Sequence, residues 1–151
     1  MILPLHAMKL PYAVGLYREL HQRYGGLIDF HTICHDHNIL FEKALLSPGV
    51  TGFSTRVNGT GVIIMNASVK RLERHAYAWH ELYHLLRGCA GTFDNVISRR
   101  EEHQADLFAA LCMIPEVQYG DTPHCLVERH SVPVELATLR IEQELRMNQA
   151  A

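Results

Sequence analysis

The sequence predicts an α+β domain, a small sheet of about three strands containing an antiparallel pair and packed on several helices. Two observations lead to this. Residues 51–57 and 60–65 are β-rich runs on either side of Asn58-Gly59, the dipeptide that two-residue hairpin turns favour because both central residues need positive φ. Residues 68–86 and 99–111 instead carry apolar side chains about once per helical turn. The first of these helices also holds two histidines four residues apart, so architecture and chemistry point to one stretch.

Taken in order, Tyr12, Leu16, Leu20 and Tyr24 fall one per turn and predict an amphipathic helix closed by Gly25-Gly26. A second helix is expected from Asp29 as N-cap through Ile33 to His37, with Asn38 in the left-handed closing position. Residues 39–42 read as a short strand. The hairpin follows the Ser47-Pro48-Gly49 turn. Its second strand is apolar on both faces and should lie inside the sheet, covered by helix, whereas the first alternates and belongs nearer an edge. Asn66 or Ser68 is the expected N-cap of the next helix, with Leu72, Ala76, Trp79, Tyr83 and Leu86 on its buried face and Arg87-Gly88 ending it. Gly91, Thr92, Asp94 and Asn95 have loop composition. Helical character resumes at Arg99, where Leu107, Phe108, Ala110 and Leu111 can bury one side.

Composition bounds the function. At 151 residues the chain is one domain by length, with a real core. A formal net charge of −2, with 20% charged and 48% hydrophobic residues, gives no electrostatic case for nucleic-acid or membrane binding. No apolar run approaches the ~20 residues of a membrane span, and residues 1–5 lack the length and basic start of a signal peptide, so a cytoplasmic location is expected. Cys34, Cys89, Cys112 and Cys125 show no C-x-x-C spacing and read as small hydrophobes. Cys34, His35 and His37 are too poorly spaced on a helix to suggest a second metal site.

His80-Glu81-Leu82-Tyr83-His84 carries the chemistry. Residues four apart on a helix sit about 40° from each other, so both imidazoles can face one cation, with Glu81 beside it. This is the H-E-x-x-H pattern, in which the histidines hold zinc and the glutamate acts as general base on activated water. Zinc then needs a third protein ligand. Glu102 and Asp106 lie one turn apart on the following helix; Glu102 fits the ligand role, and Asp106 fits that of a hydrogen-bond acceptor for a ligand imidazole. Glu101 and His103 compete with Glu102 for ligation but point about 100° to either side of it.

Four segments carry a family resemblance. Val50-Thr51-Gly52-Phe53, Val62-Ile63-Ile64-Met65-Asn66-Ala67-Ser68, Ala78-Trp79-His80-Glu81-Leu82-Tyr83-His84-Leu85-Leu86 and residues 102–115 resemble, in that order, the ImmA/IrrE family of zinc metallopeptidases. The resemblance covers about residues 29–115, and residues 126–140 look like the family's closing pair of helices. It implies a minimal zincin-like, gluzincin-like domain of mobile-element type that cleaves or antagonises a helix-turn-helix repressor. His80, His84 and Glu102 match the family's zinc ligands, Glu81 its catalytic glutamate, and Asp106 a supporting position. Tyr83 departs from the family, where glycine is common. No separate repressor-type DNA-binding domain precedes these motifs, so the repressor is expected to be another polypeptide, and a regulatory protein partner is a further expectation.

Amide hydrolysis also needs a donor for the oxyanion. His75, Tyr77, Tyr119 and His124 are the candidates; for His75 and Tyr77 a packing or surface role weighs more heavily. Two alternatives to catalysis stand beside this reading. The domain could act as an anti-repressor or regulatory binding protein, with zinc serving structure. The tail, residues 120–151, could bind DNA in the manner of a winged helix, but Arg129, Arg140 and Arg146 are offset there by Glu128, Glu135, Glu142 and Glu144, a poor balance for phosphate contacts.

Overall fold

The structure, a computed structural model, describes residues 11–88 and 98–149. The expected loop at residues 91–95 and Cys89 lie outside them. In chain order the elements are α1 (Tyr12–Arg23), α2 (Phe30–Asp36), β1 (Ile39–Ala44), β2 (Gly52–Val57), β3 (Thr60–Asn66), α3 (Arg71–Arg87), α4 (Arg99–Met113), α5 (Pro123–His130) and α6 (Val134–Gln149). The expected α+β class is what forms.

The sheet runs β1-β3-β2. β3 is central, as its apolar character requires, and pairs antiparallel with β2 and parallel with β1. Asn58 and Gly59, with φ of 50° and 82°, make the hairpin turn. Gly52 opens β2 because any side chain there would collide with β3: a Cβ would sit 2.7 Å from the Ile64 carbonyl oxygen and 2.6 Å from Met65 Sδ. One face of β3, through Gly61, Ile63 and Met65, is sealed against α3. The other, through Val62 and Ile64, is only half-buried, so helix covers one side of this strand and not both.

Helix α3 runs beneath the sheet and packs on α4, which in turn carries α1 and α6. This placement explains why α4 is buried nearly all round, with Ala105, Leu107, Phe108, Ala109, Ala110 and Leu111 all in the core. Tyr83 and Phe108, each 0% exposed, meet at 5.5 Å between ring centroids at the centre of the α3–α4 contact. The Tyr83 ring is therefore core, not site.

Helix ends follow local chemistry, with one correction. Asp29 caps α2 by accepting from the Thr32 N–H, Ser98 caps α4 by accepting from the Glu101 N–H, and Asn38 takes φ 53° after α2. Neither Asn66 nor Ser68 caps α3; Lys70 stands there, without a side-chain cap. Asn66, 1% exposed, is occupied instead: its amide donates to the Val50 carbonyl at 2.7 Å and its oxygen accepts from Ser68 N–H and Oγ, tying the β1–β2 loop to the β3–α3 turn. Gly88 ends α3 at φ 73°, its N–H reaching the His84 and Leu85 carbonyls. Two residues expected on buried faces lie at edges: Tyr12 is 38% exposed and Leu72 50%.

The tail is locked on by charge. Arg140, 5% exposed, donates from Nε to the Ile114 carbonyl at 2.7 Å and from Nη2 to that of Pro115 at 3.2 Å, closing the C-terminus of α4, while Nη1 pairs with Glu144. Arg129 donates twice to Asp121, each at 2.8 Å. Cys34, Cys112 and Cys125 are free thiols. Burial, and then the charge of Asp29, pushes the Cys34 thiol up to about 12, which leaves it inert. No described helix is long and apolar enough to cross a membrane.

Candidate metal centre

Helix α3 presents His80 and His84 from adjacent turns, and the first turns of α4 bring Glu102 across to them. His80 Nε2 and His84 Nε2 lie 3.1 Å apart. One oxygen of Glu102 is 3.1 Å from His80 Nε2 and the other 3.0 Å from His84 Nε2. The three side chains form the one group among the described residues that could hold a metal ion, and both histidines are buried. Glu101 and His103 stand outside this group. The close packing of α3 on α4 at Tyr83 and Phe108 sets the distance between the two ligand-bearing backbones.

The donor set has the right protons. Asp106 Oδ1 lies 2.7 Å from His80 Nδ1, so a carboxylate accepts the ring proton there and Nε2 is left with its lone pair toward Glu102 and His84. Burial opposes the charged form of His80, but the hydrogen bond and charge of Asp106 and the charges of Glu102 and Glu81 outweigh it, and its pKa is raised. His84 moves the other way. Burial, then the neighbouring charge of His80, disfavours its imidazolium more than Glu81 and Glu102 favour it. His84 Nδ1 is buried without a hydrogen-bond partner among the described residues.

Glu81 is held by a residue the sequence reading did not single out. Ser54 on β2, 6% exposed, donates its hydroxyl to Glu81 Oε2 at 2.6 Å. Two positions along the same strand, Arg56 Nη2 donates to the Leu85 carbonyl at 2.9 Å, so β2 is fastened along α3 beside the histidines. Alternation in residues 52–57 does place Ser54 on the inner face. That Glu81 lies opposite follows only from how the sheet sits on α3.

The four oxyanion candidates are scattered. Tyr77 lines a cavity of about 380 Å³ together with His80 and Asp106. His75 accepts from Trp79 Nε1 at 3.3 Å and packs against Phe30. Tyr119 is fully exposed, and His124 is exposed and pairs with Glu128 at 3.1 Å. Among known proteins, the chain matches no family model and no curated sequence.

Proposed function

We propose that the chain is a zinc-dependent metallopeptidase that hydrolyses a peptide bond in a protein substrate, with Glu81 as general base. The convergence of His80, His84 and Glu102, with Glu81 fixed beside them by Ser54, is the observation that carries this reading. The contacts of 3.0–3.1 Å among the donor atoms fall just short of the about 3.3 Å edge that zinc bonds of ~2.0–2.1 Å set in a tetrahedron, so a slight outward shift admits the ion. Imidazole with carboxylate suits zinc, and three protein ligands leave one corner open. When bound there, zinc supplies Lewis acidity toward the scissile carbonyl and lowers the pKa of a water molecule to about 7.

The protein's own residues do the rest. Asp106 keeps the proton of His80 on Nδ1, which orients the ring. Ser54 anchors one carboxylate oxygen of Glu81 and leaves the other to take a proton from the attacking water and pass it to the departing amine. β2 is an edge strand, and Ser54 brings it within hydrogen-bond reach of the general base, so an extended peptide adding to its outer edge would pass the centre. The resemblance to the ImmA/IrrE family supports a helix-turn-helix repressor as that substrate.

The test pairs wild type with Glu81→Gln on such a repressor. Wild type is expected to cleave it, and Glu81→Gln to keep its zinc and lose cleavage. Repressor release by both forms without a cut would replace catalysis with binding.

A further inference from the structure

The opposite face of α3 borders a second cavity, of about 520 Å³, which none of the residues of the metal centre lines. At 100° per residue, Arg71, Arg74, His75 and Ala78 point away from the face that presents Tyr77 and His80. We propose that this cavity binds a small anion joining a phosphate to a flat ring, the chemistry of a nucleoside monophosphate.

The lining divides into two parts that match the two halves of such a ligand. Phe30 from α2 and Phe41 from β1 meet edge to face at 5.3 Å, with His31 6.0 Å from Phe41, and Leu72 adds apolar surface at the rim. An aromatic ring docks against such edges and faces in offset or T-shaped contact. Around this floor stand Lys43, Arg71 and Arg74. No described lining residue is acidic. Among the described residues Arg74 donates to the backbone carbonyls of Ala67 and Val69, at 3.3 and 3.4 Å, and to no carboxylate. Neither Lys43 nor Arg71 forms an ion pair among the described residues.

Lys43 and Arg71, both solvent-exposed, and Arg74 line the one hollow, and guanidinium forks suit phosphate oxygens. Burial first, and then the charges of His31 and Arg71, holds the His75 pKa below its ordinary value and favours the neutral ring. His75 Nε2 accepts from Trp79, so its other nitrogen carries the proton and is a donor. His130 supplies a further imidazole whose Nε2 is buried without a described partner. The volume lies within the range of small-ligand sites, about 300–1,000 Å³.

Trp79 is the chain's single tryptophan and lies 5.2 Å from the Phe30 ring and 6.3 Å from His75, both in the cavity wall, so its fluorescence reports occupancy. The experiment titrates the full chain with adenosine monophosphate, with inorganic phosphate and adenosine as separate arms, following Trp79 emission and heat of binding. Adenosine monophosphate is expected to bind at least about tenfold more tightly than either half, equally with and without zinc, and at least about tenfold more weakly in Lys43→Ala/Arg71→Ala. Both substituted side chains are solvent-exposed, so the variant keeps the fold. Binding no tighter than phosphate alone, binding only in the zinc-loaded protein, or binding indifferent to the double variant would each overturn the proposal.

Discussion

Removing the Asp106 carboxylate tests how the metal centre is organised without requiring a substrate. In Asp106→Ala the 2.7 Å contact to His80 Nδ1 is lost, and that ring is free to move its proton to Nε2, the nitrogen that must ligate. A hydrogen bond to a charged group contributes about 1.5–3 kcal/mol net. The Asp106 side chain is 49% exposed, and water can replace part of what is removed, so the lower end applies. About 1.4–2 kcal/mol corresponds to a loss of zinc affinity of roughly ten- to thirtyfold. Among the described residues His84 Nδ1 has no comparable acceptor, so the whole effect falls on His80. Competition with a zinc chromophore at pH 7 measures it. Asp106→Asn, which keeps an acceptor oxygen, should fall between the two. Unchanged affinity in Asp106→Ala would refute the assignment of Asp106 as the group that orients a ligand.

Three further outcomes are expected. Ser54→Ala removes the 2.6 Å bond to Glu81 and should lower kcat by about tenfold or more, with zinc content unchanged and Ser54→Thr restoring most of the rate; equal rates in serine and alanine forms would deny Ser54 its role. Arg140→Ala leaves the Ile114 and Pro115 carbonyls without their donor and should cost about 2–4 kcal/mol in urea unfolding, which a loss below about 0.5 kcal/mol would contradict. Acid should weaken the tail: the two Arg129 hydrogen bonds hold Asp121 at about 2, below its ordinary 3.8, so this contribution is complete above about pH 4 and is lost as pH falls toward 2. Asp121→Asn should flatten that part of the urea midpoint's pH dependence.

Much of this was legible because the chemistry imposes its own spacing. Two histidines and a glutamate on one helix, and two carboxylates one turn apart on the next, have few other arrangements, and the structure brings His80, His84, Glu102 and Asp106 together as read. Asn58-Gly59 fixed the hairpin through a backbone requirement that few residue pairs meet. What was missed depends on contacts between elements. Asn66 has the chemistry of an N-cap, but loops 16 to 20 residues away claim its amide. Leu72 continues an apolar stripe past the last element that covers it and faces the second cavity instead. The parallel pairing of β1 with β3, and Ser54 opposite Glu81, follow from packing that no local pattern in residues 39–57 encodes.

Metal content per chain is the most direct measurement. After equilibration with buffered zinc and removal of free ion, wild type should retain about one zinc per chain, and Glu102→Ala, folded to the same circular dichroism spectrum, should retain little. Equal zinc in both proteins would contradict the centre built from His80, His84 and Glu102.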